Sequence, residues 1–125
     1  MPAKPLIAIV DDDESIRVTT KDLLESAGLH AAAFASAEDF LSSGLLPDVS
    51  CAVADMRMPG MSGLALYEHL LASGNPIPTI LMTAYPDERV RARALKAGVV
   101  AYLTKPFTDH ELLGCIGASA RQRSF

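Results

Sequence analysis

The chain lacks the features that mark several large classes of protein. No apolar run approaches the ~18 residues of a membrane-spanning helix. The start, MPAKPLIAIV, has too short an apolar stretch for a secretory signal and no small-residue cleavage site. Basic residues are outnumbered 11 to 15, and the net charge of −4 argues against nucleic-acid binding by this chain alone. These absences favour a cytoplasmic protein, and its 125 residues are a common size for one domain.

Cysteine is also scarce. Cys51 and Cys115 lie far apart in the sequence and form no CxxC pair. We expect two reduced, buried thiols rather than a disulfide or a reactive site, because this is the usual state of isolated cysteines in a cytosolic protein.

Short apolar segments alternate with segments of helical pattern along the whole chain. The apolar segments predict strands buried on both faces of a sheet: Leu6–Val10, His30–Phe34, Cys51–Ala54, Thr79–Met82 and Val99–Leu103. The predicted helices are Ser15–Ala27, Ala37–Ser43, Leu64–Ser73, Asp87–Ala97 and Asp109–Ala120. This alternation predicts a parallel α/β sheet with helices on both faces, rather than a barrel of eight units. The pattern does not determine the strand order.

Polar side chains follow four of these strands. Asp11 and Asp12 come directly after the first strand, and Asp55 comes after the third. Thr83 follows the fourth strand and Lys105 follows the fifth. Because ligands of open α/β sheets bind outside the carboxyl ends of the strands, we expect these five residues to line one crevice.

Carboxylates held this close need a positive partner. Two of them about 4 Å apart repel by roughly 4 kcal/mol at an effective dielectric constant near 20. Mg²⁺ suits such a site, because it takes one or two carboxylates, keeps waters and often binds a phosphate. Lys105 supplies a mobile point charge for a phosphoryl oxygen, and Thr83 supplies a hydroxyl donor. Asp11 and Asp12 taken alone are equally consistent with a solvated acidic turn, but the matching strand ends favour the site.

Four segments resemble the receiver domains of bacterial two-component response regulators: IVDDDESIR, VADMRMPGMSGL, ILMTAY and AYLTKPF. The resemblance extends over essentially the whole chain, and RMPGMSG and KPF are most similar to regulators with a helix-turn-helix output domain, such as those of nitrogen fixation. It implies a flavodoxin-like, doubly wound, five-stranded parallel sheet of order 2-1-3-4-5 with five helices. Residues 1–125 are then a single receiver domain, either alone or followed by a C-terminal output domain.

The resemblance also implies a role for each acid. Asp55 takes the place of the phosphoacceptor, which receives its phosphoryl group from a sensor histidine kinase or a phosphotransfer protein. Asp11, Asp12 and Asp55, with the backbone carbonyl of Arg57, take the places of the Mg²⁺ ligands, and Mn²⁺ is an alternative ion. The domain is then a regulatory switch rather than a turnover enzyme.

The remaining implied roles concern the readout. Thr83 and Lys105 take the places of the residues that contact the phosphoryl group, and Thr83 and Tyr102 those of the switch pair. The Lys105–Pro106 bond is expected to be cis. Phosphorylation is expected to remodel the face formed by the fourth helix, fifth strand and fifth helix. The expected readout is a phosphorylation-dependent homodimer, which would control transcription where an output domain follows.

Three alternatives compete with this interpretation. A haloacid-dehalogenase-type phosphatase also uses an aspartate nucleophile, Mg²⁺ and lysine, but it carries a general acid two residues after the nucleophile, where this chain has Arg57. A pseudo-receiver acts without phosphorylation and would have lost one of the five site residues, and none is lost. A nucleotide-binding module needs a glycine-rich loop after the first strand, which DDDESIR does not provide.

Overall fold

Five strands alternate with five helices in residues 5–123, the part of the chain that this computed structural model describes; side chains are described for residues 5–119. The strands are β1 (Leu6–Val10), β2 (His30–Phe34), β3 (Val49–Asp55), β4 (Thr79–Thr83) and β5 (Ala101–Thr104). The helices are α1 (Glu14–Ser26), α2 (Ala37–Leu41), α3 (Gly63–Ala72), α4 (Glu88–Ala97) and α5 (Asp109–Arg123). A short 3₁₀ turn at Leu46–Asp48 precedes β3.

All strand pairs are parallel, and the order across the sheet is β2-β1-β3-β4-β5. This confirms the flavodoxin-like, doubly wound architecture that the resemblance implied. The order puts β1 and β3 side by side at the centre, with Val10 paired to Ala54. The residues that follow Val10 and Ala54 therefore emerge next to each other at the carboxyl edge of the sheet.

Successive residues of the central strands point into two separate cores. Ala8 and Val10 of β1 face a cluster covered by Phe40 of α2, Leu66 and Leu70 of α3 and Ala94 of α4. Ile7 and Ile9 face the opposite cluster, which is covered by Leu24 of α1 and by Leu112 and Ile116 of α5. The prediction of helices on both faces is confirmed, with three on one face and two on the other.

The strand prediction is wrong in the burial of the edge strands and in the starts of β3 and β5. β2 and β5 are not buried on both faces, because each is an edge strand with a single neighbour. β3 begins two residues earlier than predicted, since the polar Ser50 interrupts an apolar pattern that resumes at Val49. β5 begins at Ala101, two residues after the start of its apolar run.

Side-chain caps fix the starts of the helices that follow the strands. The Asp13 carboxylate accepts from the backbone N–H groups of Ser15 (2.9 Å) and Ile16 (3.4 Å) at the start of α1. At the start of α5, Thr108 Oγ1 accepts from the Glu111 N–H (3.0 Å), and Glu111 Oε1 accepts from the Thr108 N–H (2.9 Å). This reciprocal capping box makes Thr108 the N-cap of α5.

The two cysteines differ in how deeply they are buried. Cys51 is buried, as predicted, whereas Cys115 is only half-buried and packs against the edge of the core cluster beneath α1 and α5. Burial raises the pKa of the Cys115 thiol, and the charge of Glu111 adds to that rise.

Among residues 5–123, none of the helices combines the length and the apolar composition that crossing a bilayer requires.

Candidate functional site

Three carboxylates meet at the carboxyl ends of β1 and β3. Asp11, Asp12 and Asp55 each place an oxygen within 4.8 Å of the others. Asp11 is fully buried, Asp55 is 7% exposed and Asp12 is exposed. The cluster therefore has a closed side, formed by Asp11, and an open side, where Asp12 meets solvent.

Lys105 bridges the two buried acids. Its Nζ lies 2.9 Å from Asp11 Oδ2 and 3.4 Å from Asp55 Oδ1. The Lys105 backbone N–H donates to the Thr83 carbonyl at 2.7 Å, which holds the loop after β5 against the end of β4. The Lys105–Pro106 bond is cis, as predicted. From the far edge of the sheet, the lysine thus crosses the end of β4 to reach the acids.

The electrostatics of the cluster are unbalanced towards negative charge. Burial raises the pKa of Asp55, and the neighbouring charge of Asp11 raises it further, against the opposing effects of Lys105 and of the Arg57 backbone N–H. Burial alone would lower the pKa of Lys105, but its hydrogen bond to Asp11 and the charges of both acids hold it above the usual value. With all three acids ionised, a single ammonium group leaves two negative charges uncompensated. Such a donor set fits a hard divalent cation.

The loop after β1 is held by contacts that the sequence analysis did not identify. Asp11 Oδ1 accepts from the Asp13 N–H at 2.9 Å, and Arg17 Nη1 donates to the Asp11 carbonyl at 2.8 Å. Arg17 lies in the first turns of α1, so the signal available in the sequence was a cation shortly after the run of acids. These bonds fix the buried carboxylate in front of Asp55.

Two glycines shape the loop after β3. Gly60 has a φ of +82°, as a tight turn at Pro59–Gly60 requires. Gly63, the first residue of α3, packs so closely that a Cβ there would lie 2.5 Å from the Asp55 carbonyl oxygen. Gly60 therefore makes a tight turn, and Gly63 lets α3 pack closely against the end of β3. Any side chain at Gly63 would push α3 away from the end of β3, where Asp55 stands.

The two residues assigned to the switch lie on neighbouring strands. Thr83, the last residue of β4, is 1% exposed and pairs with Thr104, while Tyr102 lies two residues before Thr104. Thr83 Oγ1 accepts from the Tyr85 N–H at 3.0 Å and, in the described part of the chain, forms no hydrogen bond to Lys105. Tyr102 is half-buried and packs against the core beneath α3 and α4.

The structure brings together Asp11, Asp12, Asp55 and Lys105, as the strand-end pattern predicted, and places Thr83 on the adjacent strand end. A family model described as "Response regulator receiver domain" matches residues 7–116. The chain belongs to this family. Receiver domains are regulatory modules of two-component systems and interact with histidine kinases or phosphotransfer proteins.

Curated relatives of this receiver domain include a transcriptional regulatory protein and a nodulation protein. It is 39% identical over 119 residues to "Transcriptional regulatory protein FixJ" of Azorhizobium caulinodans, which covers 95% of this chain and 56% of the relative. It is 41% identical over 120 residues to "Nodulation protein W" of Bradyrhizobium diazoefficiens, covering 95% and 52%. The chain thus spans about half the length of these relatives.

Solved receiver structures superpose closely on this one. The structure of the response regulator StyR has a TM-score of 0.88 and 42% identity, covering 96% of this chain and 61% of that one. The crystal structure of FixJ-N has a TM-score of 0.87 and 32% identity, covering 99% of both. The receiver fold and its family are therefore established for this chain.

Proposed function

We propose that this receiver domain is switched by transfer of a phosphoryl group to Asp55. One observation carries the proposal: the Asp55 carboxylate stands at the open end of β3, 3.4 Å from Lys105 Nζ and within 4.8 Å of oxygens of Asp11 and Asp12. A nucleophilic oxygen, a mobile ammonium group and a cation-binding donor set are the parts that phosphoryl transfer to a carboxylate needs.

The donor in this proposal is a phosphohistidine of a sensor histidine kinase or a phosphotransfer protein. A carboxylate oxygen of Asp55 forms a bond to phosphorus, the P–N bond breaks, and its electron pair returns to the imidazole ring. Lys105 exchanges its contact with Asp55 for one with a phosphoryl oxygen. The chain contributes positioning and electrostatic stabilisation, which dominate catalysis of this reaction.

Mg²⁺ is the proposed cofactor, with Mn²⁺ as the alternative. Asp11, Asp12 and Asp55 would hold it with the backbone carbonyl of Arg57, an all-oxygen donor set suited to either ion. When bound, the ion neutralises charge on the transferring group. The chain's own part is to hold Asp11 rigidly, through Asp13 and Arg17, so that little reorganisation accompanies binding.

The proposed readout begins at Thr83. Its hydroxyl donates to the phosphoryl group, Tyr102 rotates into the space that Thr83 leaves, and the face formed by α4, β5 and α5 changes its partners. We propose a phosphorylation-dependent homodimer, acting in the cytoplasm. A C-terminal output domain that binds DNA would make the whole protein a transcription regulator, and the relative from Azorhizobium caulinodans carries that description in its name.

The competing chemistry of a turnover phosphatase has no support in the site. The residue two positions after Asp55 is Arg57, which offers no carboxyl group to protonate a leaving group. A pseudo-receiver has no support either, because every residue of the proposed site is present. We therefore propose a switch that is phosphorylated once per signalling event and not an enzyme with a separate substrate.

Intact mass tests the proposed function directly. Incubation with acetyl phosphate and Mg²⁺ should add the mass of one phosphoryl group to the parent protein and none to Asp55→Asn. Asp22→Asn, at an exposed position of α1, is the matched control and should be phosphorylated like the parent. A gain of phosphoryl mass by Asp55→Asn would show that another residue is the acceptor.

Thermal denaturation tests the metal site. Saturating Mg²⁺ should raise the melting temperature, since a ligand at about 100 times its Kd stabilises the folded state by about 2.7 kcal/mol. Asp12→Ala should lose most of this shift, because Mg²⁺ has few protein ligands and cannot spare one. Asp22→Ala should keep it. An undiminished shift in Asp12→Ala would exclude Asp12 as a ligand.

A further inference from the structure

Arg57 and Tyr85 contact each other at the rim of the site. Arg57 lies two residues after Asp55, and Tyr85 lies two residues after Thr83. The guanidinium carbon of Arg57 is 4.8 Å from the centroid of the Tyr85 ring, within the range of a cation–π contact. Tyr85 is 66% exposed, the most exposed of the large apolar side chains described. The function proposed above uses neither side chain.

Each partner of this contact also acts, through its backbone, on a residue of the site. The Arg57 backbone N–H opposes the rise in the pKa of the Asp55 carboxyl group. The Tyr85 N–H donates to Thr83 Oγ1 at 3.0 Å. The side-chain contact therefore joins the loop that holds the acceptor to the loop that holds the switch hydroxyl.

We propose that the Arg57–Tyr85 contact is a latch that stabilises the unphosphorylated arrangement of Thr83 and opens when the Thr83 hydroxyl turns to a phosphoryl group on Asp55. This inference rests on the proposed function. When Thr83 moves towards Asp55, it pulls on the Tyr85 backbone through the hydrogen bond that the Tyr85 N–H donates to Thr83 Oγ1. If the Tyr85 backbone follows, the ring leaves the guanidinium group; if it stays, the N–H loses its acceptor.

The phosphoryl group acts on the other half of the latch in the same direction. It brings new negative charge beside Asp55, two residues from Arg57, and a guanidinium group binds phosphoryl oxygens better than it binds an aromatic face. Arg57 is thus drawn inwards while Tyr85 is drawn with Thr83. The contact stabilises only the unphosphorylated state. Part of the free energy of phosphoryl binding is therefore needed to break it before the domain switches.

A double-mutant cycle on a phosphoryl mimic measures the latch. The probe is beryllofluoride with saturating Mg²⁺, titrated into the full chain and followed by the backbone amide NMR signals of Thr83 and Lys105. Tyr85→Leu removes the aromatic face, while Tyr85→Phe retains it and serves as the matched control. Arg57→Met removes the cation with little change in length, and the cycle subtracts its direct effect on the anion.

Opening a latch costs apparent affinity, so removing it should tighten binding. Tyr85→Leu should bind beryllofluoride about two- to five-fold more tightly than the parent, the factor that an exposed cation–π contact is worth. Tyr85→Phe should bind like the parent. In the Arg57→Met background, Tyr85→Leu should have no further effect.

Three results would overturn the latch. These are weaker or unchanged binding by Tyr85→Leu, equal tightening by Tyr85→Phe, and the same tightening by Tyr85→Leu in the Arg57→Met background. Failure of the proposed function looks different, because then the parent would not bind beryllofluoride, or Asp55→Asn would bind it equally well. If the parent binds beryllofluoride at Asp55 but the effects of Tyr85→Leu and Arg57→Met are additive, the latch is refuted and the proposed function stands.

Discussion

Asp55 carries its charge in surroundings that disfavour it. The side chain is nearly buried and lies beside Asp11. Lys105 compensates its charge only in part, because the same ammonium group also contacts Asp11. The sequence predicted that these residues would meet, because the ends of parallel strands share one edge. It did not predict that Lys105 lies closer to Asp11 than to Asp55, since those distances depend on how the fold places the loop after β5 and the loop that Arg17 holds.

Neutralising Asp55 should stabilise the metal-free protein. Asp55→Asn removes a carboxylate that burial and Asp11 both penalise, and we expect the melting temperature to rise by roughly 3–6 °C, about 1 kcal/mol in a domain of this size. Asp22→Asn, on the exposed face of α1, should change it little. Calorimetry in a chelating buffer is the measurement, and an equal or lower melting temperature for Asp55→Asn would contradict the electrostatic argument.

The same stabilisation should depend on pH. Because the folded pKa of Asp55 is raised above its ordinary value of 3.8, the penalty is present above the folded pKa and disappears as pH falls through it. The advantage of Asp55→Asn over the parent should therefore shrink in acid and vanish below the ordinary value. An advantage that grows as pH falls would show that the sign of the shift is wrong.

The β3–α3 unit shows how an element holds the site. The apolar pattern predicted β3 and the helix after it, and Gly60 makes the tight turn between them with a φ of +82°. The burial of edge strands was predicted wrongly, because β2 and β5 have apolar compositions like those of central strands and differ only in their number of neighbours. Sequence pattern reports which residues can be buried, and topology decides which of them are.

Gly63 is the residue on which the packing of this unit depends. Gly63→Ala would place a methyl group 2.5 Å from the Asp55 carbonyl oxygen and 3.0 Å from a Leu81 methyl, so we expect a loss of about 1–3 kcal/mol in the free energy of unfolding. Gly114→Ala, on an open surface of α5, should instead gain about 0.5–1 kcal/mol, because alanine is the better helix former. Urea denaturation of both variants tests the contrast, and similar effects of the two changes would contradict it.

Exposed positive charge is concentrated on α4. This helix exposes Arg89, Arg91, Arg93 and Lys96 in a protein of net charge −4, and one of its cations, Arg93, lies 3.8 Å from Glu68 of α3. Leu95 on the same helix is 38% exposed. The sequence indicated this helix and its basic residues, but the packing of Tyr102 against the core beneath α4 required the fold.

Phosphorylation should promote self-association through this face. In sedimentation, beryllofluoride with Mg²⁺ should strengthen dimerisation at least ten-fold, about 1.4 kcal/mol. Leu95→Glu should abolish the effect by placing a charge on the face. Val18→Glu is the matched control, because Val18 is 53% exposed on α1, which covers the opposite face of the sheet from α4, and this variant should dimerise like the parent. Equal loss of association in both variants would contradict the assignment to α4.

Asp55 itself should form the acyl phosphate. Borohydride reduces an aspartyl phosphate to homoserine at the modified position, so peptide mass spectrometry after phosphorylation and reduction identifies the acceptor. Homoserine is expected at position 55 in the parent and at no other acid, with none formed in Asp55→Asn. Homoserine at position 11 or 12, or reduction-resistant phosphate elsewhere, would contradict it.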